Sequence, residues 1–268
     1  MNDAPLKGSA APREGSAPSQ SAGDDLADEP AKDLGYGRPE PAAGLNAVDA
    51  ALTTRRSVRG FLPDPVPQAT VRHILEVAAR APSGTNIQPW HVWAVAGEAR
   101  DRVCRAVIAA REAGEEDHEY AYYPKDWREP YITRRRKLGW DLYGLVGVVK
   151  GDKAGMYRQH TRNFELFDAP VGLFFSMERH LELGSWLDFG MFLQAIMTAA
   201  RGQGLDTCPQ AAWVGYHKAV RAALGIPDDH AFVCGMALGH ADNSRPENAL
   251  VSEREPVDAF TRFLGFDE

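Results

Sequence analysis

The chain has 268 residues, 44% of them hydrophobic and 25% charged, a balance that supports one globular domain with a sizeable core and leaves little room for two. A formal net charge of −7 opposes the long-range attraction that nucleic-acid backbones and anionic membrane surfaces exploit, so neither is expected as a partner, whereas a compact anionic ligand held by a few local arginines remains open. Cys104, Cys208 and Cys234 form no CxxC pair and the histidines form no HExxH, so buried free thiols are expected rather than a disulfide framework, and no metal is expected.

Residues 1–45 are rich in Ala, Pro, Gly, Ser and acids, with too little apolar material to offset the entropy of ordering; a flexible tail is expected, with Leu34, Tyr36 and Leu45 the only anchors for wrapping a partner subunit. The first residues carry charges and prolines where a secretory signal has an apolar stretch, and no apolar run approaches the roughly 20 residues of a membrane span, so a cytoplasmic protein is expected.

The folded domain is expected over 46–268. Val71, Ile74, Leu75, Ala78 and Ala79 recur at helical spacing until Pro82 and Gly84 stop them. A strand reads from Trp90 to Ala96, and a helix follows with Val103, Ala106, Val107 and Ala110 on one face. The charged and aromatic stretch from Gly114 to about Gly155 is too long for a plain connection and predicts helical pieces with a lid function. Ala169 to Met177 reads as a buried strand, and Ser185 with Asp188 as a capping-box start to an apolar helix ending near Gly202. A helix over Tyr216–Leu224, a strand over His230–Leu238 and a short helix over Pro256–Phe263 complete the chain. The irregular interleaving of helices and strands predicts an α+β sandwich.

Two clusters carry chemistry. Arg55-Arg56-Ser57-Val58-Arg59 puts three guanidiniums and a hydroxyl within five residues, a set that can fork onto a phosphate or a carbonyl-rich ring, or else form a solvated basic face. Ala81-Pro82-Ser83-Gly84-Thr85-Asn86-Ile87-Gln88-Pro89-Trp90 combines small residues, which admit a flat ligand close to the backbone, with amide and hydroxyl donors; as a turn alone, its amides go unexplained. No Walker A or complete dinucleotide fingerprint occurs, and Cys208 has no paired base, which favours packing over thiol catalysis.

Together these clusters resemble the N-terminal signature of the nitroreductase family, and the likeness spans roughly 46–264. Tyr122-Tyr123-Pro124, Trp127-Arg128-Glu129-Pro130, Arg134-Arg135-Arg136 and Asn163-Phe164 resemble the middle of a bacterial nitroaromatic-reductase-like subgroup. Gly204 to Trp213 resembles the loop over the flavin, and Cys234 to Gly239, Pro246-x-Asn248 and Arg254 the closing strand and phosphate clamp.

The resemblance implies a central, mostly antiparallel sheet flanked by helices in an intertwined homodimer, with FMN at the dimer interface. By motif, Arg55, Ser57 and Arg254 would hold the phosphate and ribityl chain, Arg56 would add backbone contacts, and Arg59 would face the pyrimidine edge of the ring. Pro82, Ser83, Gly84 and Asn86 would come from the partner subunit, and Pro209, Gln210, Ala211 and Ala212 would pass near N5. Many relatives carry an acidic residue and a glycine where Ala211 and Ala212 stand, so an N5 contact here falls to backbone N–H groups. Tyr123, Trp127 and Tyr131 are the candidate walls of the substrate pocket, since aromatic faces suit flat substrates. Arg134 to Arg136 are either a solvated face or a site for the nicotinamide cofactor's phosphate.

The implied activity is ping-pong reduction of nitroaromatic compounds to hydroxylamines with NAD(P)H as donor. The flavin carries the chemistry, so no protein nucleophile or general acid is assigned. The same scaffold also admits quinones, enones, free flavin or halogenated aromatics as acceptors, or flavin binding without turnover.

Overall fold

The computed structural model describes residues 41–266. Most of the expected tail, including Leu34 and Tyr36, lies outside the described residues. Eight α-helices and four strands occur among them, besides short 3₁₀ turns: α1 (Ala47–Thr54), α2 (Gln68–Ala78), β1 (His91–Ala96), α3 (Gly97–Glu112), α4 (Tyr131–Leu145), α5 (Lys153–Thr161), β2 (Val171–Glu178), α6 (Leu183–Gly202), β3 (Asp206–Gln210), α7 (His217–Leu224), β4 (His230–Gly239) and α8 (Val257–Phe260).

The four strands form one sheet in the order β1-β2-β4-β3, and every neighbouring pair is antiparallel. The two central strands, β2 and β4, are buried on both faces, which is why APVGLFFSM and HAFVCGMAL read as unbroken apolar runs rather than alternating ones. Helices cover each face. On one side Phe174 and Phe232 pack with Val103 and Val107 of α3, Val220 of α7 and Trp213; on the other Phe175 and Met177 pack with Ile74 of α2 and with Phe189, Phe192 and Ile196 of α6. The result is an α+β sandwich with an antiparallel sheet, as the sequence predicts.

Three local expectations are corrected. Ser185 is not the cap of α6: the helix starts at Leu183, and Ser185 N–H already donates to Glu182 O within the first turn. Asp188 is buried and turned to a different task, accepting from Gly84 N–H at 3.1 Å. The 206–210 stretch, expected as a loop, is strand β3, held by its ladder to β4 from Asp206↔Gly239 to Gln210↔Gly235. The last helix is a single turn, Val257–Phe260.

α1 carried no clear apolar period. It is started instead by Asn46, whose side chain accepts from Val48 and Asp49 N–H. It is tied to α6 and β3 through Arg201, which donates to Thr54 Oγ1 and pairs with Asp206, both at 2.9 Å. The expected helical piece within the aromatic segment is α4, and α5 begins only at its end. α4 buries no residue. Among the described residues no helix is long and apolar enough to cross a membrane.

Candidate active site

Arg55 closes the C-terminus of α1, and the backbone then straightens against the sheet edge. Ser57 forms a parallel bridge with Thr207, and Val58 N–H donates to Thr207 O at 3.1 Å. Backbone pairing therefore lays Arg55, Arg56, Ser57 and Arg59 beside the start of β3. Buried Asn248 pegs the other side of the stretch: its Oδ1 accepts from Arg59 N–H at 2.8 Å, and its Nδ2 donates to Gly60 O at 2.7 Å and Asp242 O at 2.9 Å. Asn248, read from sequence with the phosphate clamp, thus splices the two ends of the chain through main-chain groups.

Arg254 arrives from that far end. Its guanidinium donates to Ser252 O and Oγ and to Glu253 O. Burial, and after it the nearby Arg254 cation, hold the Arg55 guanidinium below the ordinary arginine value. No ion pair joins Arg55, Arg59 or Arg254 to a carboxylate among the described residues. Repelling cations gathered without a counter-ion are stabilised by an anion.

Arg59 leads into a cavity of about 900 Å³. Its floor is Cys208, Pro209, Gln210, Ala211 and Ala212, the end of β3 and the first residues of the 3₁₀ turn Ala211–Gly215. Gln210 is buried; its Nε2 donates to Asn163 O at 2.7 Å, while its Oε1 is a buried acceptor with no hydrogen-bond partner. Burial pushes the Cys208 thiol up against the pull of Arg59, a hydrogen bond with Ser57 and Arg55, so it is not a ready nucleophile. All three cysteines are free and buried. No group of three or more His, Cys, Asp or Glu side chains among the described residues is arranged to hold a metal.

The facing wall comes from residues 116–123, with Tyr143 of α4 and His160 of α5. Of the three aromatic candidates Tyr123 lines the cavity. Trp127 stands behind it with ring centroids 5.6 Å apart, and Tyr131 is exposed at the start of α4, outside the lining. Arg135 sits over the Trp127 and Tyr123 rings at 4.8 and 5.6 Å, and Arg134 pairs with Glu255 at 2.8 Å, so two of the three consecutive arginines have partners within the chain. Glu116, His118 and His160 were not singled out from sequence, because a polar run such as Glu-Glu-Asp-His-Glu has no apolar period to show which side chains face inward.

Pro82, Ser83, Gly84 and Asn86 do not line this cavity. Their loop lies against α6, fixed by Gly84 N–H to Asp188 and by Gln88 N–H to Ser83 Oγ at 3.0 Å. Thr85, Asn86 and Gln88 hold φ of 47°, 62° and 48°, the left-handed region that side chains disfavour. Three such residues in four, mostly exposed, form a strained and presented loop.

A family model for the nitroreductase family matches residues 52–240. The chain belongs to the nitroreductase family. It is 44% identical over 219 residues to the chloronitrobenzene nitroreductase of Comamonas testosteroni, covering 81% of this chain and 96% of that relative. The 4-nitrobenzoate reductase of Pseudomonas putida is 39% identical over 219 residues, covering 82% and 96%. Among solved structures, the FMN and NADPH-dependent nitroreductase NfnB from Sphigopyxis sp. strain HMH superimposes with a TM-score of 0.80 at 40% identity, covering 83% of this chain and all of that one.

Proposed function

We propose that the protein is an FMN-dependent oxidoreductase that uses NAD(P)H to reduce nitroaromatic compounds to hydroxylamines, by alternating hydride transfers at one site and as a homodimer. The observation that carries this is the convergence of Arg55 and Arg254, from opposite ends of the domain, beside a cavity floored by β3. The kinship with nitroreductases of about 40% identity supplies the chemical class.

The residues fit the cofactor. The cluster of Arg55 and Arg254, with no carboxylate ion pair among the described residues and with Ser57 two residues from Arg55 on the bridged stretch, suits a phosphate of about −2 charge. Arg56 adds backbone contacts. Arg59, where the cluster opens into the cavity, suits the electron-rich pyrimidine edge and stabilises negative charge there. The orphaned Gln210 Oε1 offers an acceptor for a ring N–H, and Pro209, Ala211 and Ala212 present backbone to the flat face. FMN bound there supplies two-electron hydride chemistry that no side chain of this set possesses. The protein's part is to orient the acceptor against the ring, with Tyr123 as a stacking face and Trp127 and Tyr131 at the outer margin.

The loop bearing Pro82, Ser83, Gly84 and Asn86 is mostly exposed and forms no part of the cavity lining of its own chain, which supports a contribution to the partner's cofactor. Exposed Leu183 and Leu187, at 82% and 70%, give α6 an apolar outer face for the same contact. In this reading residues 1–45 are a tail attached to the 46–268 domain.

The test is direct. The purified protein shows flavin absorption bands and consumes NAD(P)H when given a nitroarene; a colourless protein that stays inactive after FMN is added overturns the proposal. Turnover with quinone, enone and halogenated-aromatic acceptors in the same assay ranks the alternatives.

A further inference from the structure

Each two-electron stage of nitro reduction consumes one proton besides the hydride. A nitroarene plus hydride plus proton gives a nitrosoarene and water; the nitrosoarene plus hydride plus proton gives the hydroxylamine. The hydride carries both electrons, so the remaining demand is for an acid that can reach the nitro oxygen in the first stage and the nitroso oxygen in the second.

The segment leading into the cavity wall places such a group. Asp117 is a bridge residue, and Glu116 and His118 on either side of it both line the cavity, whereas Asp117 does not. Asp117 and Glu119 point away from the cavity and are anchored: Asp117 bridges Tyr216, its N–H donates to Gly215 O at 2.8 Å, and its carboxylate pairs with Lys218 at 2.6 Å. Glu119 is buried against Arg179, Arg221 and the Phe232 N–H. Glu116 and His118 line the cavity, as does Tyr120, whose hydroxyl reaches on to Val233 O. His118 is thus gripped on both sides by its neighbours, and its Nε2 lies 2.8 Å from Glu116 Oε1.

The pair rests on the turn that continues the cavity floor. A Cβ at Gly215 would come to 3.2 Å from His118 Cε1 and 3.4 Å from Glu116 Cγ, so the glycine makes the room they occupy. The other titratable groups at this wall are less suited. Burial and then Arg111 push the His160 imidazole below the ordinary histidine value, which keeps it neutral. Tyr120 already donates to Val233 O at 2.6 Å, and burial pushes its phenol, like that of Tyr122, upward. The His118 side chain is 59% exposed, so it is open to solvent on the side away from Glu116.

We infer that His118 is the proton donor to the acceptor, a catalytic residue oriented by Glu116. In the first stage the imidazolium proton joins a nitro oxygen of the hydride adduct, the N–O bond breaks, and the hydrogen that came as hydride leaves the nitrogen as a proton to that oxygen, which departs as water. Neutral His118 is reprotonated from the open side of the cavity before the nitrosoarene is reduced. This rests on the flavin reading above.

The experiment is anaerobic stopped flow on the holoenzyme, with NADPH as donor and either nitrobenzene or ferricyanide as acceptor, since ferricyanide takes electrons without a proton. His118→Gln should leave flavin reduction by NADPH at the wild-type rate and slow reoxidation by nitrobenzene about a hundredfold, the lower end of the range for a lost general acid. Reoxidation by ferricyanide should keep its rate, and free imidazole should partly restore nitrobenzene turnover in His118→Ala. Glu116→Gln should give a smaller loss in the same step. Unchanged nitrobenzene reoxidation in His118→Gln, or equal slowing with both acceptors, overturns the assignment. A wild-type protein without flavin sinks the flavin reading and this inference together, whereas a nitro-reducing wild type with an unaffected His118→Gln sinks only the latter.

Discussion

The two walls of the cavity are built by opposite means. The arginine side is a continuation of the sheet: Ser57 bridges Thr207, Phe61 bridges Ala241, and Asn248 closes the seam with three hydrogen bonds to main-chain groups. The aromatic side hangs on α4, which buries nothing, and on 115–130, where Tyr122 and Tyr123 are exposed. In the proposed reading the phosphate, the same in every catalytic cycle, would be served by donors that backbone pairing holds still. A varied set of flat substrates would be served by faces free to adjust. The two regimes meet at Glu119, where the aromatic segment is nailed to α7 and β4.

The sharpest way to break this contrast is at the rigid pole. Arg55→Ala combined with Arg254→Ala removes two charge-assisted contacts worth about 2 kcal/mol each, so FMN affinity should fall roughly a thousandfold while the thermal transition of the apoprotein hardly moves. Stoichiometric flavin in the purified double variant would refute the clamp.

At the junction, Glu119→Gln leaves Arg221 and Arg179 short of their charge partner and should cost about 2 kcal/mol in urea unfolding at neutral pH. The same site sets an acid limb. Burial pushes His217 below 6.5, so the unfolded chain binds the extra proton and stability falls as the pH drops below 6.5. Burial opposes the ionisation of Glu119, but the Phe232 N–H, Arg221 and His217 outweigh it and hold the carboxyl below 4.5, so a further loss follows as the pH falls below 4.5. Glu119→Gln should flatten that second stage; an unchanged acid profile would remove Glu119 from the account.

On the adaptable wall the effects shrink. Tyr123→Ala should raise KM for nitroarenes several-fold, about 1 kcal/mol of stacking, with FMN affinity intact. Flavin loss in that variant would erase the distinction between the two walls. Smallest of all, Arg134→Ala breaks a half-exposed pair with Glu255 and should change stability by no more than about 0.5 kcal/mol, read as a thermal shift.

Much of the architecture was legible from local pattern. The buried runs of β2 and β4, the apolar face of α3 and the length of α6 all record burial directly in residue type, because a side chain that leaves water must be apolar or paired. β3 was not legible. Asp-Thr-Cys-Pro-Gln has neither alternation nor a β-branched run, and its extended form comes from pairing with β4. Ser185 and Asp188 match a cap by spacing alone, yet Asp188 serves the Gly84 loop, a contact across 104 residues that no local rule contains.

The same division holds for the site. The order Arg-Arg-Ser, Pro-Ser-Gly, Pro-Gln and a late arginine marks the kin group of the chain, since the donors a phosphate and a flat ring require are few and their motifs are specific. Which donors meet was decided only in three dimensions. The bridge from Ser57 to Thr207 and the peg of Asn248 bring Arg55 beside Arg254, about two hundred residues away in the chain. The anchoring of Asp117 and Glu119 turns His118 inward. Neither fact has a local signature, because both depend on backbone groups, and every residue has those.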